Sequence, residues 1–335
     1  MPKNNLKVSV IIPCRNEEKF IGQCIDSILS QDYPKNKIEI LVIDGMSEDR
    51  TREIIKNYQK KYKFIRIISN ERKITPVALN VGIKNAKGEF LMRMDAHSFL
   101  EKDYIKKCLE ALKNYNADFV GGSWKILPRD NKITTKAVVF AMQSKFGAGN
   151  AYYKTGSENP KEADAVAFLC CKKEVFGKYG YFNENLERSQ DIEFNKRVKK
   201  AGGKIILVPD AVCYYYARSG FFKFVKHNFK NGIWAILPFK FSRHVPVSFR
   251  HLMPLLFVSS LILTLFLSVF SKFFLYLFLS VVFWYILLSL YFSIKISAKE
   301  RDFKYAFILP FVFASLHLSY GFGSLWGIIK LPFVK

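Results

Sequence analysis

The chain has 335 residues, 50% of them hydrophobic, and its 52 lysines and arginines against 28 aspartates and glutamates leave a net charge of +24. Two domains fit that length, but the apolar residues are spread too unevenly for an ordinary soluble pair, because the last quarter is made mostly of long uncharged runs. A positive balance of this size suits either nucleic acid or a membrane surface. Its position directly ahead of the apolar tail favours the membrane, and acids at the strand ends would repel a nucleic-acid backbone.

Strand-like runs alternate with helical patterns over the first 115 residues. "KVSVIIPC", "IEILVIDG", "FIRIIS" and "EFLMRMDA" read as buried strands. Between them, "EEKFIGQCIDSILSQ" and "DRTREIIKNYQKKY" carry apolar residues at helical spacing, and "TPVALNVGIKNAK" reads as a shorter helix with Thr75 as cap and Pro76 at its first position. The alternation predicts parallel pairing through right-handed crossovers and a doubly wound α/β sheet. Ligands of such sheets sit beyond the carboxyl ends of the strands. The residues expected there are Arg15, Asn16 and Glu17, then Asp44, then Asp95 and His97.

Neither GxGxxG nor GxxxxGK[ST] follows the first strand, so the sequence does not support a dinucleotide or P-loop nucleotide site. Without a P-loop, a nucleoside diphosphate needs a metal for its phosphates. Asp95 and His97 offer a carboxylate oxygen and an imidazole nitrogen, a donor pair suited to manganese.

Between Phe221 and Arg250 lie six basic residues (Lys223, Lys226, Lys230, Lys240, Arg243, Arg250), no acid and many aromatics. This pattern fits an interfacial segment on anionic lipid. Three uncharged runs follow, Leu252–Phe270, Phe273–Ile294 and Tyr305–Ile329, each long enough at about 1.5 Å per residue to cross a core of roughly 30 Å. Pro310, Gly321, Gly323 and Gly327 make the third either a kinked span or a re-entrant hairpin. "KISAKERDFK" between the last two runs and the basic stretch before the first put both on the cytoplasmic side. "MPKNNLKVSVIIPC" carries no signal-peptide pattern, so the N-terminal portion is expected in the cytoplasm. Six cysteines without CxxC spacing read as reduced thiols.

Over about residues 6 to 235 the motifs resemble the family 2 glycosyltransferases of the GT-A fold, a Rossmann-like nucleotide-diphospho-sugar transferase architecture. The likeness is greatest to the membrane-anchored branch that includes the succinoglycan-type glucosyltransferases of exopolysaccharide assembly. "VSVIIPCRNEE" is similar to the family's opening strand and nucleotide loop, which implicates Pro13, Arg15 and Glu17. "VIDGMSEDRT" resembles its DDGSxDxT turn, which gives Asp44 the contact with the nucleotide base and leaves Gly45 in place of a second aspartate. "KITPVALNVGIKNAKGEFLMRMDAHS" resembles the stretch that leads to the metal motif, with Asn80 and Asp95 on the nucleotide-sugar side. His97 there stands where Asp-x-Asp relatives have a second acid, either as metal ligand or as a flank of the sugar.

By the same likeness, "FNENLERSQDIEFNKRVKKAGGKI" is the acceptor segment. Gln190 replaces the usual glutamate, Asp191 is the general base, and Glu193 is the second candidate. "YYYARSGFFKFVKHNFKNGIW" resembles the branch's R…Q…GxW region. Arg218 and Trp234 match it near the donor pyrophosphate, and His227 stands in the glutamine position. Asp164 in "EADAVAFLCC" is assigned to the acceptor side.

The resemblance implies an inverting transfer from a UDP-linked sugar, aided by Mn²⁺ or Mg²⁺ held by Asp95 with or without His97, to a lipid-linked or surface-polysaccharide acceptor. The expected layout is a catalytic domain over 1–220, a basic amphipathic segment over 221–250, and a membrane region over 251–335 with two to four helical segments. The protein is thus expected to be integral to the cell membrane, with its catalytic domain cytoplasmic. Two alternatives remain open: a polyprenyl-phosphate glycosyl synthase and a non-catalytic sugar-nucleotide-binding scaffold. Processive synthesis is disfavoured, because "HNFKNGIW" does not supply a QxxRW motif.

Overall fold

The computed structural model describes residues 7–217, 220–242 and 245–334. The first elements are β1 (Val8–Cys14), α1 (Ile21–Leu29), β2 (Ile38–Asp44), α2 (Thr51–Lys61), β3 (Ile65–Ser69), α3 (Thr75–Asn85) and β4 (Phe90–Arg93). Next come β5 (Ser98–Leu100), α4 (Tyr104–Asn114), β6 (Phe119–Leu127), α5 (Ile133–Gln143), α6 (Lys145–Ala148) and α7 (Tyr152–Thr155). β7 (Lys161–Glu162), β8 (Ala167–Lys172), α8 (Val175–Tyr179), α9 (Gln190–Lys200) and β9 (Ile205–Tyr216) complete the sheet. The tail forms α10 (Phe221–Ile236), α11 (Pro238–Phe241), α12 (Met253–Leu267), α13 (Lys272–Glu300) and α14 (Lys304–Lys330).

The chain divides into two compact units, Met1–Lys125 with Gly156–Tyr216 and Ile126–Thr155 with Ala217–Lys335. Residues 126–155, which the sequence layout leaves in the first domain, therefore group with the tail. The cause is hydrophobic: Ala137, Val138 and Ala141 of α5 share a buried cluster with Leu309, Val312 and Phe313 of α14.

In the first unit the strand order is β3-β2-β1-β4-β8-β6-β9-β5, with β7 paired to β9. β3, β2, β1 and β4 run parallel, as the alternation predicts. β8 is antiparallel to both β4 and β6, and β5 and β7 are antiparallel to β9, so the complete sheet is mixed. β1 and β2 are covered on both faces and read as near-continuous apolar runs for that reason. α1 turns Ile21, Cys24, Ile25 and Ile28 inward at i, i+3, i+4 and i+7. α3 starts differently from the expectation: Ile74 occupies the cap position, no side chain caps the helix, and Pro76 lies in the first turn. Gly82 of α3 rides so close to β1 that a Cβ there would meet Ile11 Cγ2 at 2.3 Å.

Beneath the segment that leads into α9, Phe194 is fully buried, edge-on to Phe119 at 5.5 Å and beside Phe182 at 4.6 Å between ring centroids. This cluster anchors the helix that begins at Gln190.

In the second unit, α14 is the central helix and packs against α5, α10, α12 and α13. α10 and α14 touch backbone to backbone: a Cβ on Gly232 would lie 2.0 Å from the Tyr320 carbonyl, and one on Gly323 would lie 2.0 Å from that of Phe229. Gly323→Val should therefore push the helices apart and cost about 2 kcal/mol, read as a lower melting temperature of the detergent-solubilised chain. An unchanged melt would contradict this packing.

Lys223, Lys226 and Lys230 are exposed on α10, away from the buried Phe224, Asn228 and Gly232. α10 thus has one basic, exposed face, and its less polar face is taken up by α14. α13 and the helical stretch Lys304–Phe333 are long and apolar enough to cross a membrane. α12 has only 15 residues, about 22 Å, and ends at Leu267, short of the run read from the sequence. α14 continues through Pro310, which favours the single helix over the re-entrant hairpin.

Candidate active site

The sheet register brings the expected strand ends to one edge. β1 and β2 pair in parallel with Cys14 opposite Asp44, and β4 lies on the other side of β1 with Arg93 opposite Ile11. The loop after β1 is knitted to the loop after β2. The Asn16 amide donates to Ser47 Oγ at 2.9 Å, the Glu48 amide to Asn16 Oδ1 at 2.9 Å, and the Glu17 amide to Thr51 Oγ1 at 2.8 Å. The Glu18 amide reaches Asp49 Oδ2 at 3.2 Å. Asn16 and Met46 take left-handed φ values of 54° and 58° to make these turns.

Asp44 is fully buried, where an unpaired carboxylate would be costly. Arg52 Nη1 donates to it at 2.7 Å and Ser47 Oγ at 2.5 Å, and the Cys14 thiol lies at 3.8 Å. Burial and then the charge of Asp44 push the Cys14 thiol pKa well up, so that sulfur is an inert neighbour. All six cysteines are buried and free. Pro13 is half-buried in β1 opposite Ile43, and Arg15 is exposed with its guanidinium 3.8 Å from Glu48.

Two residues past the end of β4, Asp95 accepts from Arg93 Nη2 at 3.1 Å. The other terminal nitrogen of Arg93, Nη1, lies 3.5 Å from Asp191 Oδ2. Burial works against the charge on Arg93, and Asp95 followed by Asp191 more than offsets it, so the guanidinium pKa is raised. Asp191 stands in the first turn of α9 with its side chain 47% exposed, where a helix N-terminus favours a carboxylate. The structure thus brings together Asp95 and Asp191, which the sequence separates by 96 positions, through Arg93, a residue to which no motif assigns a role. A charged residue inside the apolar run "EFLMRMDA" was the available signal.

Glu193, the second base candidate, is 4% exposed and spoken for. Arg197 Nε donates to its Oε1 at 3.0 Å and Nη2 to its Oε2 at 2.9 Å. Asn80 is likewise engaged by the protein: its amide donates to the Phe182 carbonyl and to Glu184, each at 2.9 Å, and its Oδ1 accepts from the Phe182 amide at 3.0 Å. In this structure Asn80 ties α3 to the segment ahead of α9. Asp164 pairs with Lys199 at 3.2 Å and Lys196 at 3.7 Å on the later turns of α9. Gln190 is buried at the start of α9, and Trp234 is half-buried on α10 in the second unit. Arg218 lies outside the described residues.

His97 Nδ1 sits 3.0 Å from Glu17 Oε1. An ionised carboxylate only accepts, so in this pair the ring nitrogen donates. Tyr215 meets the His97 ring at 5.1 Å and stacks on Trp124 at 5.0 Å, so an aromatic wall adjoins the imidazole. Among the described residues, no three or more His, Cys, Asp or Glu side chains gather around a common point that could hold a metal. One carboxylate and one carboxylate-braced imidazole fit an ion that draws its remaining ligands from diphosphate oxygens and water.

The family model described as Glycosyl transferase family 2 matches residues 9–180. A dolichyl N-acetyl-α-D-glucosaminyl phosphate 3-β-D-2,3-diacetamido-2,3-dideoxy-β-D-glucuronosyltransferase of Methanococcus voltae is 33% identical over 67% of this chain and 71% of its own length. The succinoglycan biosynthesis protein ExoA of Rhizobium meliloti is 27% identical over 63% of each chain. The crystal structure of Staphylococcus aureus TarS 1-349 in complex with UDP-GlcNAc superposes over 92% of this chain and 91% of that one, with a TM-score of 0.52 at 17% identity. That likeness carries the GT-A-type fold alone. With the sheet, the strand-end carboxylates and the matched segment in agreement, the chain belongs to glycosyl transferase family 2.

Proposed function

We propose that this protein moves a sugar from a UDP-linked donor, with inversion, onto a lipid-linked glycan at the cytoplasmic face of a membrane in which α13 and α14 are embedded. The observation that carries the reading is the pairing across Arg93 of a carboxylate at a strand end, Asp95, with an exposed carboxylate at a helix start, Asp191. Asp191 takes the proton of the acceptor hydroxyl as its oxygen attacks the anomeric carbon, and the diphosphate leaves from the opposite face. Asp44, paired with Arg52, and the Arg15–Glu17 loop form the nucleoside side. Asp95, with His97 Nε2, would hold Mn²⁺ or Mg²⁺, which supplies positive charge to the departing diphosphate.

Relatives support the substrate classes. The Methanococcus voltae enzyme is named for a dolichyl-linked acceptor and a β-linked product, and the TarS structure was solved with UDP-GlcNAc. A glycan on a lipid, in place of polyprenyl phosphate itself, follows the first of these names. Uncharged residues dominate the outward surface of α13, which suits hydrocarbon. The test is a donor screen in nanodiscs with polyprenyl-linked acceptors, with Mn²⁺ and with chelator. Transfer from a UDP-sugar that stops on chelation is the expected result; metal-independent turnover would remove the ion from Asp95, and transfer to bare polyprenyl phosphate alone would replace the acceptor.

A further inference from the structure

Arg93 is the last residue of β4, in a strand held on both sides by β1 and β8. Its side chain is only 19% exposed, and a guanidinium so placed needs partners. Its two terminal nitrogens go to carboxylates on different elements, Asp95 beyond the strand and Asp191 on α9, while Nε has no hydrogen-bond partner. An arginine placed for stability alone would be expected to satisfy Nε as well. Asp191 has few other restraints: its Oδ1 accepts from the Ile192 amide at 2.9 Å, within its own helix turn. Among the described residues, Arg93 is therefore the side chain that ties Asp191 to the sheet.

We propose that Arg93 is a positioning residue that sets the distance between the donor-side carboxylate and the acceptor-side carboxylate, and so acts on turnover through Asp191. The inference rests on the transferase reading above. Its geometry requires a fork, because a planar guanidinium offers two parallel donors at a fixed spacing and an ammonium is a single point charge. Lysine at this position can satisfy one carboxylate and releases the other.

The test compares Arg93→Lys and Arg93→Met with the wild-type chain in nanodiscs. A base displaced by an ångström costs about 10²-fold in rate, so kcat of Arg93→Lys should fall by about 10²-fold, with the Kd for UDP in Mn²⁺ within about threefold of wild type. On an Asp191→Asn background the same change should cost less than about threefold, since residues acting as a unit are not additive. Amide hydrogen exchange in the first turn of α9 should quicken in Arg93→Lys, a readout that needs no turnover. An unchanged exchange rate there, or a full second loss on the Asp191→Asn background, overturns the positioning role. A wild-type chain that transfers no sugar overturns the proposed function and leaves the exchange result to judge Arg93 by itself. If Arg93→Met does not fold, Arg93→Lys carries the comparison.

Discussion

Asp191→Asn should lower kcat by about 10³-fold while UDP binding stays within about threefold of wild type, the size of loss that removal of a general base brings. The substitution keeps the shape of the side chain and takes away its ability to accept a proton. Arg93 loses one of two carboxylate partners and retains Asp95 at 3.1 Å, so the donor side of the site should hold its arrangement. Exposure favours this residue as base: its side chain stands 47% open at the start of α9, where an acceptor hydroxyl can approach. Single-turnover transfer with a saturating donor is the measurement to make, since it isolates the chemical step. An Asp191→Asn protein with wild-type turnover would move the base elsewhere.

Glu193→Ala should have the opposite signature, a loss of about 3 kcal/mol in stability with kcat within about twofold of wild type. Glu193 and Arg197 form a bidentate pair one turn apart on α9, and Arg197 also donates to the carbonyls of Tyr179 at 2.5 Å and Tyr181 at 2.9 Å. Removing the acid leaves an arginine whose charge is only 27% exposed and whose hold on that loop slackens. The partial exposure keeps the expected cost at the lower end for buried pairs. Urea or thermal melts of the whole chain, read beside kcat, separate the two acids: lost turnover at unchanged stability would make Glu193 the base.

The parallel half of the sheet, the helices between its strands and the grouping of Asp44, Asp95 and His97 at one edge were all legible in the sequence. Each depends on periods of two or 3.6 residues and on where an apolar run stops, features that local sequence carries. The different surroundings of Asp191 and Glu193 were less so. Both are acids in the first turn of one helix, and the difference lies in which of them Arg197 reaches. Asn80 sat within a motif-like stretch, yet its amide is taken up by Phe182 and Glu184 about a hundred residues further along the chain. The tail was legible as apolar material, but α12 stops at Leu267, and residues 126–155 join the tail through contacts between α5 and α14.

By itself, then, the sequence determined the α/β class, the family and which polar residues stand at the strand ends, because these follow from local patterning and short motifs. Only the tertiary structure decided that Arg93 stands between Asp95 and Asp191, that Glu17 braces His97, and that Arg52 neutralises Asp44. The Arg93–Asp191 contact joins residues 98 positions apart, and the Glu17–His97 contact joins residues 80 apart. No local period encodes such pairs. They arise because a buried charge must find a partner wherever the folded chain brings one within reach.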